Sequence, residues 1–365
     1  MAALPYVKIN FANGLIGGTE PMDDGVTLVL MPSLNLAADA DCLTYDDFVE
    51  KTGKTSDPVK AFFNEAGGKT RLIVSSKPTA ADKVEASLKA LLDRFHGDIR
   101  HVIITNVPDL AYLKILQGVG EWAAAELFAP VTFIVSLADT YYKTNPQIKT
   151  FNLNRVTVAD NVTDEEIDGV PLVWYLAGRA ARIPVQRSVA RVQDGAVFAP
   201  EFYYPDGQYI RLVSNNYAEG KHSLGFVTVR TFIGKAGYYF SDDLMATAAS
   251  DDYGLLPRRR VIDKAYRIAY QTLVNYIGDE LPVLESGAIS PVKAKDIQNA
   301  VEQAVYNSMT LEGNLGVDDK TADKGVSVFV DPAQNVLATS KLAVTMRVKP
   351  YGYAKYIEVD LGYAV

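Results

Sequence analysis

The chain has 365 residues, 48% of them hydrophobic and 22% charged, so it can bury a sizeable core and is long enough for two domains. Thirty-six basic and 44 acidic side chains give a net charge of −8, which argues against a general affinity for nucleic acid or for an anionic membrane. The single cysteine, Cys42, excludes an intrachain disulfide and a cysteine-based zinc site. No run approaches 18 apolar residues, and the N-terminus lacks the pattern of a signal peptide, so the sequence predicts a soluble protein built inside a cell.

Both ends of the chain are predicted to be lone β-strands, because apolar and polar residues alternate strictly there. The apolar positions are Val7, Ile9 and Phe11 at the N-terminus, and Ile357, Val359 and Leu361 at the C-terminus. A strand without a partner nearby in sequence must satisfy its backbone groups elsewhere, and the edge of a neighbouring subunit's sheet is one such place. Turn residues separate each arm from the body and are predicted hinges: Gly14, Gly17 and Gly18, then Pro350 and Gly352.

Between the arms, strands alternate with helices in the first half of the chain. Strands are predicted at 26–31, 71–75, 101–105 and 131–136, and helices at 45–52, 58–66, 81–95, 110–117, 121–127 and 171–181. This alternation indicates an α/β layer with a largely parallel sheet.

The second half is predicted to be a smaller α+β domain. A strand at 226–232 precedes two long amphipathic helices at 258–276 and 291–309, and strands at 326–331, 341–349 and 355–361 end the chain. The polar stretch 214–222 is the best candidate boundary between the halves. The predicted organisation is therefore an N-terminal arm (1–18), an α/β domain (19–220), a C-terminal core domain (221–350) and a C-terminal arm (351–365).

No motif for catalysis or cofactor binding emerges, and we predict neither a cofactor nor a metal. Gly67-Gly68-Lys69-Thr70 lacks the earlier glycine of a phosphate loop and precedes a strand instead of a helix, so a plain turn is expected. His96 and His101 are predicted to be loop residues. Two acidic pairs, Asp242-Asp243 and Asp251-Asp252, could do acid–base work or hold a cation, but solvated loops are the favoured interpretation.

The first long helix carries a concentration of basic residues. Arg260, Lys264 and Arg267 recur at helical spacing opposite the apolar stripe, and Arg258 and Arg259 extend the patch towards the N-terminus. In an acidic protein such a face predicts an acidic partner surface. The alternative, equally weighted, is a solvated helix face paired with Asp263.

The chain as a whole resembles the sheath proteins of contractile tails, which occur in myophages, R-type bacteriocins and related injection systems. The likeness lies in the order and spacing of four segments: 57–74 (DPVKAFFNEAGGKTRLIV), 171–192 (PLVWYLAGRAARIPVQRSVARV), 251–277 (DDYGLLPRRRVIDKAYRIAYQTLVNYI) and 335–363 (NVLATSKLAVTMRVKPYGYAKYIEVDLGY).

The resemblance implies a structural subunit without an active site. It would polymerise helically around an inner tube, exchange its terminal strands with adjacent copies, and contract to drive the tube through a target envelope. Implied partners are further copies, the inner tail tube protein, and baseplate and tail terminator proteins, with no nucleic acid and no direct membrane insertion. The basic residues 258, 259, 260, 264 and 267 would face the tube. The particle would assemble in the bacterial host cytoplasm. Alternatives are another self-assembling tube or shell protein, or an α/β hydrolase or metal-dependent enzyme that uses the paired aspartates.

Overall fold

The structure, a computed structural model, describes residues 23–68, 70–165, 169–212, 215–318 and 322–362. The predicted N-terminal strand (Val7, Ile9 and Phe11) and its hinge glycines (Gly14, Gly17 and Gly18) lie outside the described residues.

A six-stranded sheet forms the centre of the first half. Its strands are β1 (Thr27–Leu30), β2 (Ala40–Cys42), β3 (Leu72–Ser75), β4 (His101–Val107), β5 (Thr132–Leu137) and β6 (Val156–Ala159), in the spatial order β2-β3-β1-β4-β5-β6. Every neighbouring pair is parallel except β2 and β3. The four strands predicted in this region are confirmed, and so is the parallel sheet. The strands β2 and β6 were not predicted.

Helices cover both faces of this sheet. They are α1 (Tyr45–Thr52), α2 (Asp57–Ala66), α3 (Val84–Arg94), α4 (Leu110–Glu126), α5 (Asp139–Tyr142), α6 (Leu172–Arg182) and α7 (Asn216–Leu224). In β1, Val29 packs with α2 and α6, whereas Leu28 and Leu30 pack with α3 and α4. Burial on both faces explains why these strands are continuous apolar runs instead of alternating ones.

Two glycines set local geometry in these helices. The sequence predicted a break between 117 and 121, but α4 is continuous there, so that prediction is wrong. Gly120 gives α4 a close approach to the sheet, since a Cβ at that position would lie 2.8 Å from Arg155 Cδ. Gly178 does the same between α6 and α2, where an added Cβ would lie 2.6 Å from the carbonyl oxygen of Phe62.

The polar stretch chosen as a boundary folds largely as α7, and the chain after it returns to the first core. Short strands β7 (Val229–Arg230) and β8 (Tyr239–Phe240) pair antiparallel, and Val227, Phe240 and Leu256 pack in the cluster that holds α2 and α6. The side-chain packing changes at the next helix, later in the chain than the division predicted at residue 220.

The remaining residues form a smaller α+β layer. It contains α8 (Leu256–Leu273), α9 (Pro291–Val305), β9 (Val326–Val330), α10 (Val336–Thr339) and β10 (Val344–Val348). Val261 and Ala265 of α8 pack against Val305 of α9, and β9 and β10 pair antiparallel beside them. The two long helices are confirmed. The strand predicted at 355–361 has no partner in the described chain and is not a strand there.

Candidate assembly surface

The residues after Lys355 extend into solvent. From here on, the name C-terminal arm denotes 356–362, the exposed part of the arm predicted at 351–365. Its apolar side chains are almost wholly exposed: 79% for Ile357, 77% for Val359 and 95% for Leu361. Three large apolar side chains in alternating positions on one exposed segment are typical of a surface that another chain covers.

The arm begins at a fixed point on the body, which we call the arm root and define as Tyr353 and Lys355. The Tyr353 hydroxyl donates to the carbonyl oxygen of Gln186 at 2.6 Å. Lys355 Nζ donates to Asp242 and lies 3.3 Å from Asp243 Oδ1. The predicted hinge residues Pro350 and Gly352 lie between β10 and this root, and both are exposed. Their hinge role stays a prediction.

The acidic pair at the arm root is buried, so the interpretation of Asp242 and Asp243 as solvated loop residues is wrong. Asp243 is completely inaccessible, and burial is the main cause that raises its pKa to about 6, helped by the charge of Asp242 and opposed by Lys355. Burial acts in the same direction on Asp242. Hydrogen bonds from His222 at 2.8 Å and from Lys355 nevertheless hold the pKa of Asp242 below its ordinary value. Instead of an open catalytic pair, the two carboxylates form a socket for one lysine of the arm root.

One edge of the small sheet is closed by side chains. The N–H groups of Val328 and Val330 in β9 donate to Glu302 Oε1 at 3.1 Å and to Gln298 Oε1 at 3.3 Å. Both acceptors belong to α9. Because their donors are already satisfied, the outer edge of β9 cannot take a further strand without breaking these bonds.

The other edge of the small sheet is open. In an antiparallel ladder, directly opposed residues either bond to each other or both point their backbone groups away. Met346 lies opposite Val328, and Val344 lies opposite Val330. Since Val328 and Val330 point away from β10, Val344, Met346 and Val348 direct their N–H and C=O groups to the free side. Within the described ranges no third strand pairs there. We call this the β10 edge.

The basic residues of α8 do not form an exposed face, so that prediction is wrong. Arg259 and Arg260 are buried, and Arg258 is half-buried. Lys264 and Arg267 pair with Asp24 at 2.8 and 2.7 Å. The first turns of α8 lie against the amino-terminal ends of the strands of the large sheet. The acidic partner of Lys264 and Arg267 is therefore Asp24 of the same chain. That the helix faces a tube stays a prediction.

Elsewhere the polar residues have structural roles. His101 is buried and begins β4, in agreement with the strand predicted at 101–105, so its separate assignment to the preceding loop is wrong. The turn predicted at Gly67 ends α2 with φ +67°. Burial raises the pKa of the Cys42 thiol to about 12. In the part of the chain that the structure describes, no three histidine, cysteine, aspartate or glutamate side chains are placed to share a metal ion. The described helices include none with the length and apolar character needed to cross a bilayer.

Two solved structures share this arrangement of elements. A cryo-EM structure of the anti-feeding prophage (AFP) baseplate, sixfold symmetrised, contains a chain that superposes with a TM-score of 0.65 at 16% identity, covering 100% of both chains. A crystal structure of the sheath tail protein from Desulfitobacterium hafniense superposes with a TM-score of 0.55 at 12% identity, covering 90% of this chain and 94% of that chain. The chain therefore has the fold of a contractile-tail sheath-like protein, as the resemblance implied.

The profiles of one family match most of the chain. The chain belongs to the family DUF2586: the profile of its N-terminal domain matches residues 4–244, and that of its C-terminal domain matches residues 252–365. No curated protein matches the sequence.

Proposed function

We propose that the protein is a structural subunit of a contractile tail sheath, and that its C-terminal arm adds a strand to the β10 edge of an adjacent copy. The observation that carries this proposal is the coexistence, in one chain, of an unpaired apolar arm and an unpaired sheet edge. Neither pairs with another strand within the described chain, and an extended arm has the geometry that a free sheet edge accepts.

The energetics favour this pairing. Val344, Met346 and Val348 each offer one donor and one acceptor, and a backbone hydrogen bond contributes about 1 kcal/mol net, so a fully paired strand gains about 6 kcal/mol. Burial of the apolar positions of the arm adds to that gain. The side chains of these three β10 residues face the helices, so an incoming strand with alternating residues would continue the same apolar face.

The arm root limits where the neighbour can be. Lys355 is held by the two aspartates, so the free arm starts at Tyr356. The six residues from Tyr356 to Leu361 span at most about 20 Å. The β10 edge of the receiving copy must therefore lie within about 20 Å of Lys355 in every state of the sheath.

This donor and acceptor pairing is head-to-tail, which generates rings or helical filaments. On this proposal the subunits polymerise around an inner tail tube, the bodies rotate as rigid units during contraction, and the arms stay paired. Baseplate and terminator proteins would cap the two ends of the assembly. The assembly would form in the bacterial cytoplasm, as part of a phage or injection particle. The N-terminal strand at 7–11 is proposed as a second exchanged arm. Since one of the similar structures is a baseplate, a place in a baseplate ring is the second candidate location.

A point variant with a matched control tests the proposal. Val359→Asp places a charge on the apolar face of the arm, and Asp360→Asn alters the opposite face of the same segment. We expect Val359→Asp to remain a folded monomer, and Asp360→Asn to assemble like the wild type, as judged by size exclusion and negative-stain electron microscopy. Tubes or rings formed by Val359→Asp, or by a chain that ends at Lys355, would refute the role of the arm.

A further inference from the structure

A narrow cleft lies where α8 meets the amino edge of the large sheet. It is lined from the sheet by His101 and Thr132, from α8 by Arg260, and by residues that flank them. Its volume is about 10 Å³, room for one body of the size of a water molecule. A cleft of this volume favours a single small occupant over an organic ligand.

The charge around the cleft is unbalanced. Two carboxylates line it, and each is already shared by two cations: Asp263 by Arg155 and Arg259, and Asp24 by Lys264 and Arg267.

Arg260 is the exception in this cluster. Its side chain donates to the carbonyl oxygens of Ile183 at 2.9 Å and Pro184 at 3.4 Å, and the described chain places no carboxylate within ion-pair distance of it. The residue is only 4% exposed. Burial lowers the pKa of Arg260 to about 10, with Asp24 opposing, so the guanidinium stays charged at neutral pH. A buried charge with no carboxylate in direct contact is costly, so an anion beside Arg260 would be stabilised.

The buried nitrogen atoms on the lining without a hydrogen-bond partner in the described chain include one from α8 and one from β4. These two are Arg260 Nε and His101 Nε2. His101 Nδ1 lies 2.7 Å from the hydroxyl oxygen of Thr132. That hydroxyl has two possible acceptors, Nδ1 and the carbonyl oxygen of Arg100 at 3.4 Å. When it donates to Nδ1, the neutral ring carries its proton on Nε2 and can donate. Burial, followed by the charge of Arg260, lowers the pKa of His101 well below its ordinary value, so the empty site holds a neutral ring.

We propose that this cleft is a binding site for one monatomic anion, chloride in physiological salt, held by the Nε–H of Arg260 and the Nε2–H of His101. The small volume of the cleft favours a monatomic occupant, the buried guanidinium supplies the attraction, and Arg260 Nε and His101 Nε2 supply the donors. The bound ion would neutralise the contact between α8 and the large sheet and so strengthen the union of the two layers.

Bromide tests the site directly, because it replaces chloride and scatters anomalously. Crystals of the full chain grown in sodium bromide should show an anomalous peak between Arg260 and His101. In solution, sodium chloride should raise the free energy of unfolding above that in sodium gluconate at equal ionic strength. The equilibrium constant for unfolding should fall by a factor equal to one plus the ratio of the chloride concentration to the dissociation constant of chloride.

Two variants separate the site from general salt effects. Arg260→Met should lose the difference between chloride and gluconate. Lys295→Met removes a charge of the same sign from the exposed face of α9, away from the cleft, and should keep that difference. If Arg260→Met does not fold, the bromide map of the wild type decides alone. An anomalous map without a peak in the cleft, or equal stability of the wild type in chloride and gluconate, overturns the proposal in favour of an ordered water.

Discussion

Replacement of Lys355 by methionine tests the arm root, because it removes the only cation that contacts Asp243 in the described structure. In the wild type the pKa of Asp243 is about 6, against an ordinary value of 3.8. A native-state pKa above the unfolded one means that the folded protein loses stability as pH rises between about 4 and 6 and then levels off. Above pH 6, the difference between the two pKa values of Asp243 lowers the free energy of unfolding by about 3 kcal/mol.

Without Lys355 the pKa of Asp243 rises further, because the attraction that opposed burial is gone. The decline in stability should then continue above pH 6, at up to about 1.4 kcal/mol per pH unit. At pH 7 this contributes about 1.4 kcal/mol, and the lost charge-assisted bond to Asp242 adds about 1 kcal/mol, since the lysine side chain is 28% exposed. The expected loss at pH 7 is therefore about 2 to 3 kcal/mol.

Urea unfolding at pH 5.5, 6.5 and 7.5 measures this loss. The proteins with and without Lys355→Met both carry Val359→Asp, so that assembly does not contribute to the measured stability. The matched control is Lys349→Met, which removes a lysine paired with the exposed Asp323 at 2.9 Å and should change stability little at any pH. The reasoning fails if Lys355→Met loses no more stability than the control, or if its loss is the same at all three pH values.

The remaining predictions concern packing and the closed edge. Gly178→Ala should destabilise the subunit by about 1 to 3 kcal/mol, because the added Cβ would lie 2.6 Å from the Phe62 carbonyl oxygen. Gly118→Ala is the matched control: Gly118 also lies inside a helix, α4, but an added Cβ there meets nothing within 4 Å, so no stability should be lost. Equal losses in thermal or urea unfolding would contradict the packing argument. Substitution of both Glu302 and Gln298 by alanine frees the backbone N–H donors of Val328 and Val330, so light scattering should detect association even in a chain that ends at Lys355. A monodisperse double variant would show that these side chains do not prevent strand addition at the β9 edge.

The parallel sheet could be predicted because its strands carry their own signal. Buried β-branched runs such as 101–105 and 131–136 stand out between amphipathic helices, and their alternation defines the fold class. Short strands gave no such signal. β2 contains an aspartate, Asp41, whose carboxylate pairs with Arg71 thirty residues later, and only the tertiary structure makes that residue acceptable in a strand.

The site was predictable only in part. Alternation predicted an unpaired strand at the C-terminal arm. The described chain shows that segment exposed and unpaired, but without strand conformation, so its role as an exchanged strand stays a prediction. The arm root was missed because Lys355 and Asp242 are 113 residues apart, and no local pattern connects them. The basic face failed for the same reason: helical spacing shows which residues share a side of α8, but it does not show that Asp24 and the large sheet will cover that side.

The closed edge of β9 has a consequence for growth. On the proposed pairing, each subunit lends one C-terminal arm and accepts one on its β10 edge, so a filament built through this contact would have two chemically different ends. The terminal copies at one end display vacant edges, and those at the other display unpaired arms. Two different capping surfaces are then needed to finish the filament, one shaped as a strand and the other shaped as a groove.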